Sequence, residues 1–169
     1  PADRLSALDA AFLDLDHADA PLHVGVTLRL DGPAPTLAGL RRHLDGRMDR
    51  APRLRQRILT APGGDAMWAD DPGFDVARHV HTVALPASGD PEGALAELAG
   101  VLLSTPLPPG RPLWCMYLVR EPGPGWSLIA QIHHVLLDGL AGMTLAGLLL
   151  DVEPAPAATG PRAAWRPQP

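Results

Sequence analysis

The sequence predicts an α/β domain in which a mixed β-sheet is flanked by helices, and three observations carry that expectation. The stretch "LHVGVTLRL", residues 22 to 30, alternates in polarity and is rich in β-formers. "LAGLRRHLDGRMDR", residues 37 to 50, instead sets Leu37, Leu40, Leu44 and Met48 on one apolar stripe opposite a basic face. Late in the chain two apolar runs, "LWCMYLVR" and "WSLIAQIHH", flank the turn-forming "EPGPG" and read as adjacent strands joined by a five-residue loop.

The remaining elements follow in order. In "RLSALDAAFLDLD", Ser6 stands three residues before Asp9, a capping-box-like start with Asp in place of Glu or Gln, and Leu5, Leu8, Phe12 and Leu15 recur near helical spacing. A short helix is expected from about Ser6 to Leu13. The strand at 22 to 30 ends in the turn residues "DGPAP", after which Thr36 can cap the amphipathic helix. Pro52 ends that helix, and "RLRQRIL" reads as a strand with Arg53, Arg55 and Arg57 on one side and Leu54, Gln56 and Ile58 on the other. A short strand at 66 to 69 and another in "ARHVHTVAL" come next. Asp90 opens a helix that closes near Thr105, where prolines follow. Gly139 to Leu150 is nearly all apolar and reads as a buried helix. Beyond it, "EPAPAATGPRAAWRPQP" loses periodicity, and Pro and Ala dominate. The expected organisation is therefore a domain over residues 1–152 and a Pro/Ala-rich linker over 153–169.

Composition narrows the partners. A net charge of −5, with 14 basic residues that are all arginines scattered along the chain, gives no polybasic block and argues against nucleic acid. The single cysteine, Cys115, cannot form an internal disulfide, and "PADRLSALDA" lacks the features of a signal peptide, so a cytoplasmic location is expected. The most apolar segment, "LAGMTLAGLLL", has 11 residues against the roughly 20 needed to span a bilayer. Peripheral contact with a membrane or lipid droplet stays open.

The chemistry concentrates in "QIHHVLLDGLAG", residues 131 to 142. Along the strand "WSLIAQIHH" the side chains alternate faces, so His134 shares a side with Trp126, Leu128, Ala130 and Ile132, while His133 points the other way. The two rings then cannot easily share a metal, and no Cys or Glu stands near to complete a ligand set, so no metal is expected. One imidazole suffices as a base if its ring and tautomer are held. Asp138, just before Gly139, could hold that ring or simply cap the following helix. Structural histidines and a catalytic pair are both open on these grounds. Cys115, inside "LWCMYLV" without an activating charge, reads as packing rather than a nucleophile. His17, His23, His79 and His81 belong to no recognisable constellation, and Arg41, Arg42 and Arg47 read as a solvated face, with attraction to phosphates as the sharper alternative.

"HHVLLDG", His133 to Gly139, matches the HHxxxDG motif of the CoA-dependent acyltransferases, a superfamily that includes chloramphenicol acetyltransferases and peptide-synthetase condensation domains. More narrowly, "RLSALDAAFL" at 4 to 13, "PLHVG" at 21 to 25, "PRLRQRI" at 52 to 58 and "RPLW" at 111 to 114 resemble, in order and spacing, landmarks of the bacterial wax ester synthase/diacylglycerol acyltransferase family. The resemblance implies the N-terminal half of a chloramphenicol-acetyltransferase-like fold, with acyl-CoA as substrate and no cofactor. It implies that His134 is the general base, taking a proton from a long-chain alcohol or diacylglycerol as that oxygen attacks the thioester, and that His133 supports the site. By the same resemblance Asp138 pairs with an arginine, Arg55 or Arg57 here, Gly139 lets the chain turn away from the base, and Pro112, Leu113 and Trp114 line the acyl substrate, with Leu113 and Trp114 as plain strand core the equal alternative. Family members have two similar halves with a channel between them. A second-half domain, on the same precursor or another chain, is therefore an expected partner. Another HHxxxDG acyltransferase and a non-catalytic lipid-binding or interaction half domain are the alternatives.

Overall fold

A computed structural model describes residues 3–17, 19–60, 64–123, 125–137 and 167. In chain order the elements are strand β1 (Asp3–Arg4), helix α1 (Ala7–Leu15), β2 (His23–Leu30), α2 (Leu37–Asp45), β3 (Gln56–Thr60), β4 (Ala66–Asp70), β5 (Val80–Ala84), α3 (Pro91–Leu103), β6 (Trp114–Arg120), β7 (Trp126–His133) and α4 (His134–Leu137). The buried helix expected from Gly139 to Leu150 falls outside the described residues, as does the linker at 153–169 apart from Pro167.

The helix starts follow the local signals. Ser6 accepts from the Asp9 amide while the Asp9 carboxylate accepts from the Ser6 amide, which completes the capping box ahead of α1. Thr36 and Asp90 cap α2 and α3 in the same manner, accepting from Gly39 and Gly93.

A four-stranded sheet forms the centre, in the order β2-β7-β6-β5. β5 and β6 run parallel, joined by the α3 crossover, and the other pairings are antiparallel, so this sheet is mixed as expected. Arg120 pairs with Trp126, which leaves the five-residue loop of the β6–β7 hairpin. β3 and β4, expected in the same sheet, instead form a separate antiparallel sheet, β1-β4-β3, with the two-residue β1, which carries no strand signal in the sequence.

Alternation sorts the central strands onto two layers. Met116, Leu118, Leu128, Ala130 and Ile132 join Leu40, Leu44 and Met48 in one core beneath α2. Val119 and Ile129 face the other way and pack with Leu85, Leu95 and Ala99 beneath α3.

Two expectations need correction. α2 stops at Asp45 instead of running to Arg50, because Gly46, a poor helix former, takes the C-cap, and Met48 is buried from a following 3₁₀ turn, Met48–Arg50. Residues Pro52–Arg55 form a second 3₁₀ turn ahead of β3 rather than the start of a strand. Proline at its first position has a fixed φ and no N–H to offer a ladder, so the alternation assumed for the arginines does not exist. Arg53 lies over the Trp68 ring, Arg55 is buried and donates to Asp49 at 2.7 Å, and Arg57 belongs to β3.

Gly25, in the "PLHVG" stretch, shows why that position is small. A Cβ placed there would lie 2.2 Å from a methyl carbon of Leu103, the last residue of α3. Substituting Gly25→Val is expected to push the end of α3 off the sheet and destabilise the fold by about 1–3 kcal/mol. Thermal unfolding of the variant against the parent chain measures this, and an unchanged midpoint would contradict it.

Candidate active site

The site is a corner where β7 turns into α4 with no intervening loop. His133 is the last strand residue and His134 the first helical one, so the strand alternation that was expected to aim His134 ends one residue too early. α4 runs His134–Leu137, and its Val135 amide is met by the His133 side chain. Asp138 and Gly139 themselves lie outside the described residues.

Three backbone amides fix this corner. The His133 N–H donates to the Leu113 carbonyl at 3.0 Å, and the His134 N–H donates to the Leu22 carbonyl at 3.0 Å. The Val135 N–H donates to Nδ1 of His133 at 3.1 Å, so the imidazole acts as the N-cap of α4. An Nδ1 that accepts carries no proton, which places the proton of the neutral ring on Nε2.

Asp16, which the sequence reading did not single out, faces that nitrogen. It closes α1, its Oδ1 accepts the Leu22 N–H at 2.8 Å, and its Oδ2 stands 3.5 Å from His133 Nε2. At that length the contact is a charge facing an N–H rather than a closed hydrogen bond, and among the described residues the buried Nε2 has no other partner. Burial lowers the His133 pKa from its ordinary 6.5 and outweighs the opposing pull of Asp16. His23 pairs across the sheet from His133 and reaches toward the Leu103 carbonyl and the Gln131 side chain.

His134 differs from its neighbour. Its ring is only partly buried and stacks on Phe12 of α1, with centroids 5.2 Å apart at 25°. The helix that begins at Ser6 thus supplies both Phe12 and Asp16 to the histidine pair. Sequence carried no signal for Asp16, since the contact joins segments far apart in the chain.

Around the corner, Pro112 and Trp114 are buried, and Leu113 packs against the same core. Trp114 donates its indole N–H to the Leu54 carbonyl at 2.8 Å and stacks on His79 at 4.5 Å, while Leu113 lends its carbonyl to His133. This segment therefore braces the corner from beneath. Arg41 is not a solvated cation, because it donates to the Ala77 and Val80 carbonyls. Cys115 is buried and its thiol pKa is raised by that burial, which suits packing. Among the described residues no group of three or more His, Cys, Asp or Glu side chains converges to hold a metal.

Comparison with known proteins agrees with this picture. A model of the wax ester synthase/diacylglycerol acyltransferase catalytic domain matches residues 5–169. A Mycobacterium tuberculosis protein named as a probable diacylglycerol O-acyltransferase is 36% identical over 151 residues, covering 86% of this chain and 32% of its own length. A second from the same organism is 35% identical over 170 residues, covering 98% of this chain and 62% of that protein. The chain thus spans about a third of the first relative and less than two thirds of the second. Among solved structures, a wax ester synthase/diacylglycerol acyltransferase from Marinobacter aquaeolei VT8 superposes with a TM-score of 0.71 at 27% identity, over 85% of this chain and 37% of that one. The starter condensation domain of rhizomide synthetase, at 19% identity and a TM-score of 0.65 over 80% of this chain and 33% of that one, shares the fold.

Two buried imidazoles make stability depend on pH. His79, stacked between Phe74 and Trp114, has its pKa lowered first by burial, as does His133. The unfolded chain therefore takes up protons near the ordinary 6.5 that the folded chain resists, and stability present above that pH is lost as pH falls through it. The unfolding midpoint is expected to be level above about pH 7 and to fall toward about pH 5, with a smaller drop in His79→Gln. A midpoint that rises on acidification would contradict this.

Proposed function

The chain belongs to the wax ester synthase/diacylglycerol acyltransferase family, and from that premise we propose that it carries the general base for acyl transfer from acyl-CoA to a long-chain alcohol or diacylglycerol. One observation supports His134 as that base. Of the two adjacent rings, His133 is buried with Nδ1 committed to Val135, whereas His134 is partly exposed beside Phe12. That difference in exposure supports the second ring as the one that exchanges a proton with the substrate.

The step is direct. His134 takes the proton of the acceptor hydroxyl as its oxygen bonds to the thioester carbonyl carbon. The tetrahedral intermediate then collapses, the carbon–sulfur bond breaks, and the imidazolium returns its proton to the departing thiolate of CoA. An ester and free CoA result, and the ring is again neutral. No covalent acyl-enzyme is needed, in keeping with a Cys115 thiol that burial holds in its protonated form.

Residues outside this chain would complete the site. The relatives are longer than the part matched here, and a reacting acyl chain requires enclosure on all sides. A second-half domain, on the same polypeptide or another, is the proposed partner. Acceptor and product are poorly soluble, so the encounter would take place at a membrane or lipid-droplet surface. Among the described residues no helix is long and apolar enough to cross a membrane.

In the full-length protein, His134→Ala is expected to lower acyl transfer by about 10²- to 10⁴-fold while acyl-CoA affinity changes little. The assay follows CoA thiol release with saturating hexadecanol or dioleoylglycerol. Near-normal turnover would remove His134 as the base, and slow hydrolysis without ester formation would assign a different acceptor.

A further inference from the structure

We infer that Asp16 is a positioning residue for this corner, holding His133 in its Nε2–H tautomer and, through Leu22, fixing the backbone from which His134 acts. The inference deepens the proposed function and rests on it for its catalytic consequence, but its structural content stands on geometry alone.

The carboxylate sits where three elements meet. It closes α1, and its Oδ1 holds the Leu22 N–H just ahead of β2 at 2.8 Å. The other group of that same peptide residue, the Leu22 carbonyl, accepts the His134 N–H at 3.0 Å. One residue thus transmits the position of Asp16 to the base. Oδ2 meanwhile faces His133 Nε2 at 3.5 Å, and Nδ1 of that ring must stay unprotonated to accept the Val135 N–H at 3.1 Å. Both carboxylate oxygens therefore face N–H groups.

That arrangement explains why an acid is required and an amide would fail. Asn has one acceptor and one two-hydrogen donor in the same shape. In either orientation its NH₂ would oppose an N–H, that of Leu22 or that of His133. If the donor met His133, the ring would shift its proton to Nδ1, and Val135 would lose its acceptor. The His133 ring is buried, so a donor left unpaired there has no compensation from water, whereas the Leu22 side of Asp16 is exposed. Among the described residues the other titratable side chains acting on His133 are His23 and His134, neither of which can replace an anion. Phe12 adds a second link from the same helix, since a shift of α1 would also move the ring on which His134 stacks.

The test reads the tautomer and the turnover separately. Long-range ¹⁵N–¹H correlation spectra of the parent chain are expected to show the His133 proton on Nε2. A proton on Nδ1 in the parent would overturn the inference without any variant, so a poorly folding substitution cannot shelter it. In Asp16→Asn the amide oxygen is expected to keep the shorter bond to the Leu22 N–H, which turns the NH₂ toward His133, so the proton is expected to move to Nδ1 and the Val135 amide to exchange at least about tenfold faster. In the full-length protein the same variant is expected to lose about tenfold or more in kcat with little change in KM for acyl-CoA, and Asp16→Glu to recover part of it. Undiminished kcat in Asp16→Asn, alongside a large loss in His134→Ala, would overturn the positioning role and leave the base in place. Should His134→Ala itself retain turnover, the proposed function falls. The tautomer result then decides Asp16 alone: retained Nε2–H in Asp16→Asn overturns the inference, and transfer to Nδ1 sustains it.

Discussion

A strand that turns directly into a helix exposes amide donors that neither element satisfies, and this structure depends on how it supplies them with acceptors. The donors belong to His133, His134 and Val135, and the acceptors come from Leu113, Leu22 and the His133 ring. Two are carbonyls of segments on either side of β7, one ahead of β6 and one ahead of β2. The third is a side chain. The corner is therefore assembled only when β2, β6 and β7 are in register, which links the candidate base to the central sheet.

The remainder of the fold keeps that register. α2 covers one face of the sheet and α3 the other, so Met116 and Leu118 are buried by one layer while Val119 and Ile129 are buried by the opposite one. A slip of one residue would send each set to the wrong core. Close approach of α3 depends on the absent side chain of Gly25, and the segment beneath the corner is secured by Trp114, whose indole is bonded to Leu54 and whose ring stacks on His79. An aromatic element that the family resemblance assigns to acyl binding thus also carries structural weight, and its indole is buried in the core.

Local physics was legible wherever it acts over a few residues. The Ser6 capping box, the Thr36 and Asp90 caps, the alternation of the central strands and the five-residue hairpin loop are present as the sequence implied. Short turns were not legible, because a 3₁₀ segment such as Pro52–Arg55 has too few residues to establish a period of its own and was absorbed into the neighbouring strand pattern. The same difficulty displaced His134 from strand to helix. The histidine pair itself was visible, but its support was not. Asp16 reads as an ordinary polar residue after a helix, and only the packing of α1 against the corner turns it toward His133.

If Asp16 acts through the corner and His134 acts on the proton, their effects on kcat cannot be independent. A double-mutant cycle in the full-length protein, combining Asp16→Asn with His134→Ala and following CoA thiol release, measures that dependence most directly. The expected result is that Asp16→Asn, which slows the parent enzyme, adds nothing once His134 is gone, since there is no base left to position. Losses that multiply in the double variant would show two separate contributions, and would contradict a corner built to hold one base.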